Sequence, residues 1–156
     1  ACGASATGSV GGAEELSVIS EGQVFGDVID VQSTRKLSQL DASLVLAGTR
    51  SLRWLVFELA DDYYVARYDA VVANQSGSGY FSSGAISYTL KAGKRYMLGV
   101  AVSGGGAAPY YDALPWPPEV SFGNVRGSLS TSYSTYLYGY LSNASVYDMR
   151  ITTQLP

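Results

Sequence analysis

From residue 23 onward the chain sustains no helical repeat. Apolar residues recur at every second position or in short unbroken runs, and Gly, Ser, Asp or Pro soon interrupts each run. In order the runs are QVFGDVIDVQ (23–32), KLSQLDASLVLA (36–47), SLRWLVFELA (51–60), YYVARYDAVVA (63–73), YFSSGAISYTL (80–90), RYMLGVAVS (95–103), EVSFGNV (119–125), TYLYGYL (135–141) and VYDMRITT (146–153). Only 37–46 carries any helical spacing, and its neighbours are all extended. Short strands joined by short turns predict an all-β chain, an antiparallel β-sandwich. The number of strands favours a jelly roll over a seven-stranded immunoglobulin-like sandwich, and one cysteine cannot supply the Cys…Trp…Cys pattern of true immunoglobulin domains.

Two turns stand out. Ala92-Gly93-Lys94 separates Ile86, Tyr88 and Leu90 from Tyr96, Leu98, Val100 and Val102, which predicts a tight hairpin. Asp61-Asp62 similarly joins Leu55, Phe57 and Leu59 to Tyr64, Ala66, Tyr68 and Ala70. The expected core is aliphatic: Leu44, Leu46, Leu55, Phe57, Val65, Val72, Ile86, Leu90, Leu98, Val100 and Ile151, facing inward from two sheets.

At 156 residues the chain is the size of one domain, read as a tail (1–22) and a sandwich (23–156). No run of about 18 apolar residues offers a transmembrane segment. Net charge is −3 and the ten Lys and Arg are scattered, so nucleic acid and anionic membranes are not expected partners. An Ala start fits removal of a signal peptide or of an initiator Met, and the expected location is secreted or cell-surface.

Histidine is absent, which removes Ser-His-Asp and Cys-His nucleophiles and imidazole-based zinc sites. Ser33-Thr-Arg-Lys36 has the S-x-x-K spacing of serine acyl-enzymes but neither the helix nor the S-D-N element that completes such a site. Asp61 and Asp62 are adjacent and suit a turn better than a glycosidase pair. The Gly-rich 77–84 lacks the spacing and the helix of a dinucleotide-binding fingerprint, and AGKRY (92–96) lacks the rest of a phosphate loop. No enzymatic activity and no cofactor are expected.

Tyrosine is abundant, thirteen against four Phe and two Trp. Tyr88 and Tyr96 suit half-buried strand positions, and Tyr136, Tyr138 and Tyr140 would form a cross-strand ladder. In AAPYYDALPWPPE (107–119) prolines 109, 115, 117 and 118 predict a stiff loop presenting Tyr110, Tyr111 and Trp116. Such rings stack on sugars or fill a partner's pocket; the alternative is that they cover one end of the core. Asn74-Gln-Ser and Asn143-Ala-Ser match the N-glycosylation pattern and point to surface.

The phrase ISYTLKAGKRYMLGV (86–100) resembles β-sandwich modules of secreted bacterial proteins, and the closing VYDMRITT resembles the last strand of jelly-roll carbohydrate-binding modules. That resemblance implies polysaccharide as a partner and a structural calcium ion held by an early Glu and a late Asp, which fall here on Glu21 and Asp148. The alternative is two solvated acids near a sheet edge.

The opening ACGASATGSVGG carries no charged and no aromatic side chain. Cys2, Ala4, Ala6, Gly8 and Val10 alternate with Ser5, Thr7 and Ser9, the pattern of a narrow strand with one apolar and one hydroxyl face. Twelve extended residues reach roughly 40 Å, enough to join the sheet of a neighbouring copy. In architecture this resembles fibre subunits with an N-terminal donor strand. Lipidation of Cys2 is the rival, weakened because processing leaves Cys first and Ala1 precedes it. The expectation is a secreted, non-catalytic structural or adhesive subunit that self-associates, into a filament, through Cys2, Ala4, Ala6 and Val10. A carbohydrate-binding module or a virus-particle decoration or fibre protein are the alternatives.

Overall fold

A computed structural model describes residues 5–10, 15–16, 23–103, 107–113, 119–120, 122–132, 134, 136–137 and 145–156, with the backbone alone at 5–10, 15–16, 107–113, 119 and 145. The early strands are β1 (Ser5–Val10), β2 (Glu15–Leu16) and β3 (Gln23–Val31). Two long strands follow, β4 (Arg35–Ala60) and β5 (Tyr63–Ser82), then β6 (Tyr88–Leu90), β7 (Arg95–Val102) and β8 (Ala107–Ala113). The chain closes with β9 (Glu119–Val120), β10 (Gly123–Ser132), β11 (Tyr136–Leu137), β12 (Ser145–Tyr147) and β13 (Met149–Gln154). Every pairing among the described residues is antiparallel, along the path β1-β13-β4-β7-β3-β10-β9.

The fold is an all-β antiparallel sandwich, and β4 belongs to both of its layers. Its first half pairs with β13, β6 and the end of β5; its second half pairs with β7 and the start of β5. The sequence suggests two strands here, split at 48–50. Instead, one strand continues through register shifts between Leu46 and Leu52, because bulges bend a strand without ending its ladder. The Asp61-Asp62 turn closes this hairpin as expected, with Leu59 opposite Tyr64 and Phe57 opposite Ala66. Asp61 adopts φ 56°, which Asp tolerates better than most residues.

Between the layers lie Phe25, Ile29, Leu40, Leu44, Trp54, Leu98, Val100 and Ile151, all at most 1% exposed. Each such side chain contributes about 1.5–3 kcal/mol on burial. Leu55 and Phe57 do not join them, contrary to the sequence expectation. They face the opposite way, with Val24, Val28, Met97 and Leu129, and form a second core that Leu137 of β11 and Tyr64 help to close. Burial on both faces is why β4 and β7 read as continuous apolar runs rather than clean alternation. Val65 and Val72, expected inside, are only half-buried.

The expected β6–β7 hairpin is also corrected. The turn exists, with Gly93 at φ 83° and the Lys94 N–H donating to the Lys91 carbonyl at 3.2 Å. Yet β6 pairs with β4, and β7 with β3 and β4, so the turn carries the chain from one layer to the other. Val31 fixes this corner, exchanging backbone bonds with Gly93 and Lys94. Tyr96, fully buried, accepts the Lys91 N–H on its hydroxyl, and the half-buried Tyr88 meets it edge-on at 6.2 Å between ring centroids. Both tyrosines therefore hold the corner.

The stiff loop expected over 107–119 gives way to strand β8 across its first seven residues. Pro109, lacking an N–H, stands opposite Leu44 at the end of a short ladder of β8 with β4 (Leu44–Leu46); from Tyr110 onward β8 pairs with β2 and β12.

Candidate functional site

β13 lies between β4 and β1, at the margin of the first layer. Met149, Ile151 and Thr153 point inward and are fully buried, while Arg150 and Gln154 are exposed. The register sets Ala6, Gly8 and Val10 opposite Thr153, Ile151 and Met149, and Ser5, Thr7 and Ser9 opposite Gln154, Thr152 and Arg150. Directly opposed residues share a face in an antiparallel pair, so the small apolar positions of β1 fall on the face of the buried β13 positions. This ladder is within one chain. Cα atoms of β1 and β9 also come within 8 Å, so β1 stands at the gap between the two ends of the strand path.

At the head of β13 the layers are joined by two acids. Asp148, between β12 and β13, is 2% exposed, and both its oxygens accept the Tyr80 hydroxyl, at 2.7 and 2.8 Å. The Tyr80 ring in turn lies under the Arg150 guanidinium, 3.7 Å from its carbon. Backbone contacts fix the same point, because Ser43 N–H donates to the Asp148 carbonyl at 3.0 Å. From the other layer comes Asp27 of β3, wholly buried, whose Oδ1 accepts the Tyr147 N–H at 2.7 Å. Its Oδ2 and Trp54 Nε1 are the buried side-chain atoms without a hydrogen-bond partner among the described residues. Burial pushes the Asp27 carboxyl well above the ordinary range; the Tyr147 N–H opposes that shift and the Asp148 charge adds to it. The Tyr147 ring packs on Phe25, with centroids 4.9 Å apart.

A second charged cluster lies near the far end of β3. Asp30 receives Arg95 at 2.6 and 3.0 Å and Arg126 at 2.6 Å. The bond from Arg95, opposed by burial and aided by Arg126, holds its carboxyl below the usual range.

Of the residues expected to matter, Ala6 and Val10 lie on β1, whereas Cys2 and Ala4 fall outside the described residues. Tyr110 and Tyr111 pair as β8 backbone with Leu16 and Glu15, and Tyr111 also faces Tyr147; Trp116 lies outside the described residues, as do Tyr138 and Tyr140. Glu21 is likewise outside them. Asp148 is not the solvated acid one reading expected, because it is buried and bonded to a phenol. Among the described residues no three His, Cys, Asp or Glu gather closely enough to hold a metal, and Glu21, the other acid of the expected calcium pair, lies outside them.

Asp27 is not among the residues expected to matter, although the sequence carries its signal: Phe25, Asp27, Ile29 and Val31 alternate on one strand, which puts a carboxyl on the apolar face. Tyr80 had no such signal, since only the tertiary fold brings it to Asp148, 68 positions away. Compared with known protein families and with curated proteins, the chain matches none.

Proposed function

We infer that this protein is a secreted, non-catalytic structural subunit whose copies join by exchanging β1, so that the terminal strand of one lies on the β13 edge of the next and a filament grows. One observation carries the reading. A six-residue strand near the start of the chain, small on one face, forms a complete ladder with an edge whose inward side chains are all buried. A neighbour's β1 offers that edge the same register, so exchange keeps every pairing and is governed by concentration and by the connection through residues 11–22. Twelve residues there span up to roughly 40 Å when extended. Because the contact is head to tail, it propagates rather than closing on itself.

The absence of histidine supports a non-catalytic role. So does the depth of Asp27 and Asp148, 0% and 2% exposed, where no substrate could reach them. Negative-stain microscopy and light scattering on the intact chain and on a variant lacking residues 1–12 test the reading. Oligomers or fibres for the first and monomers for the second are expected; monomers for both, across a concentration series, overturn it.

A further inference from the structure

The Asp27–Tyr147–Asp148 cluster joins the two layers at one point. β3 supplies Asp27; the β12–β13 connection supplies the Tyr147 N–H and Asp148; β5 supplies the Tyr80 hydroxyl. Around Asp27 the charged neighbours are few. From β12 and its end come Asp148 and the Tyr147 phenol, whose own ionisation burial opposes and Asp27 opposes further. β10 places Ser128 opposite it and β7 places Leu98. Of the cations of the surrounding strands, Arg95 of β7 and Arg126 of β10 are held by Asp30, and Arg150 of β13 lies over the ring of Tyr80, the phenol bonded to Asp148, on the Asp148 side of the cluster. Tyr96 of β7 bonds to Lys91. Asp148, with both oxygens accepting a hydroxyl hydrogen bond, is dressed as a carboxylate, so a charge on Asp27 would be a second negative charge beside it, on a wholly buried carboxyl whose Oδ2 has no hydrogen-bond partner among the described residues.

We propose that Asp27 is a pH-operated latch between the layers, closed while its carboxyl is neutral and loosened when it ionises beside Asp148. The latched element is the β12–β13 corner, and β13 is the strand to which β1 is paired, so loosening reaches the N-terminal strand through a continuous ladder. The direction follows from linkage. A buried acid that resists ionisation binds its proton more tightly folded than unfolded, so its stabilising contribution is full below the unfolded value near 4 and declines as pH rises to the folded value. The latch therefore tightens in mild acid and slackens toward neutral and alkaline pH.

The test uses the full chain. Thermal unfolding between pH 4 and 9 is expected to show the wild-type midpoint falling with pH. Asp27→Asn, which keeps an acceptor for Tyr147 and cannot ionise, should flatten that slope and unfold at a higher temperature than wild type at pH 7. Hydrogen exchange of β13 amides, corrected for intrinsic chemistry, should accelerate at least tenfold from pH 5 to pH 8 in wild type and not in the variant. A carbon NMR titration of the wild-type Asp27 carboxyl reads the latch directly and needs no variant to fold. A midpoint within the ordinary aspartate range, or equal pH slopes for wild type and Asp27→Asn, would falsify the latch.

Discussion

Gly26 of β3 stands directly opposite Gly99 of β7, and a β-carbon on Gly26 would land on the Leu98 carbonyl oxygen. The two backbones can approach this closely only because neither residue has a side chain. Gly26→Ala is expected to cost more than about 3 kcal/mol in urea unfolding, as overpacking against rigid backbone does. Gly48→Ala is the contrast. There an added carbon meets only the flexible end of Arg50, at 3.1 Å, and stability should change by less than about 1 kcal/mol.

Tyr80→Phe removes the hydroxyl that both Asp148 oxygens accept while leaving the ring under Arg150. Loss of a charge-assisted bond to a buried carboxylate should cost about 1.5–3 kcal/mol by chemical denaturation. A cost near zero would show that the hydroxyl contributes nothing net to this corner.

Successive N–H groups of a strand point to opposite sides, so of Thr7 and Gly8 one donates toward β13. The double change Thr7→Pro with Gly8→Pro therefore removes a ladder donor whichever it is, and Pro also restricts the strand. Size-exclusion chromatography should show loss of self-association with the sandwich still cooperatively folded by near-UV circular dichroism. Undiminished oligomers would exclude the β1 ladder as the joint.

Asp30 behaves oppositely to Asp27 with pH. Arg95 first, and then Arg126, favours its charged form, so its stabilising contribution is present above the unfolded value near 4 and is lost as pH falls through the lower folded value. Asp30→Asn should lie below wild type in midpoint temperature at pH 6 and converge with it by about pH 2. Because the pair is partly solvated, added salt should shrink the gap.

What the sequence could convey followed the range of each interaction. β3 and β7 were legible almost to the residue, because an apolar run ended by a turn is a local signal. The Asp61-Asp62 turn was legible for the same reason. The partner of β6 was not, since a Gly turn shortens the chain path but does not decide whether the flanking strands pair or part into different layers. Leu55 and Phe57 take the face opposite to the one expected because a strand buried on both sides has no alternation to read. The acid corner is legible only in part: the alternation of β3 puts Asp27 on an apolar face and Asp148 stands out as a late acid, but nothing local brings either to Tyr147 or Tyr80 until three distant segments meet.

The passage of β4 through both layers has a mechanical consequence. In a sandwich made of two separate sheets, the layers can slide or part across a plane that no covalent chain crosses along a strand. Here one hydrogen-bonded hairpin runs through that plane, so displacing either layer must break ladders in the other. The two layers should thus yield to heat or to pulling together, with β1, paired along one side to β13, able to leave before them.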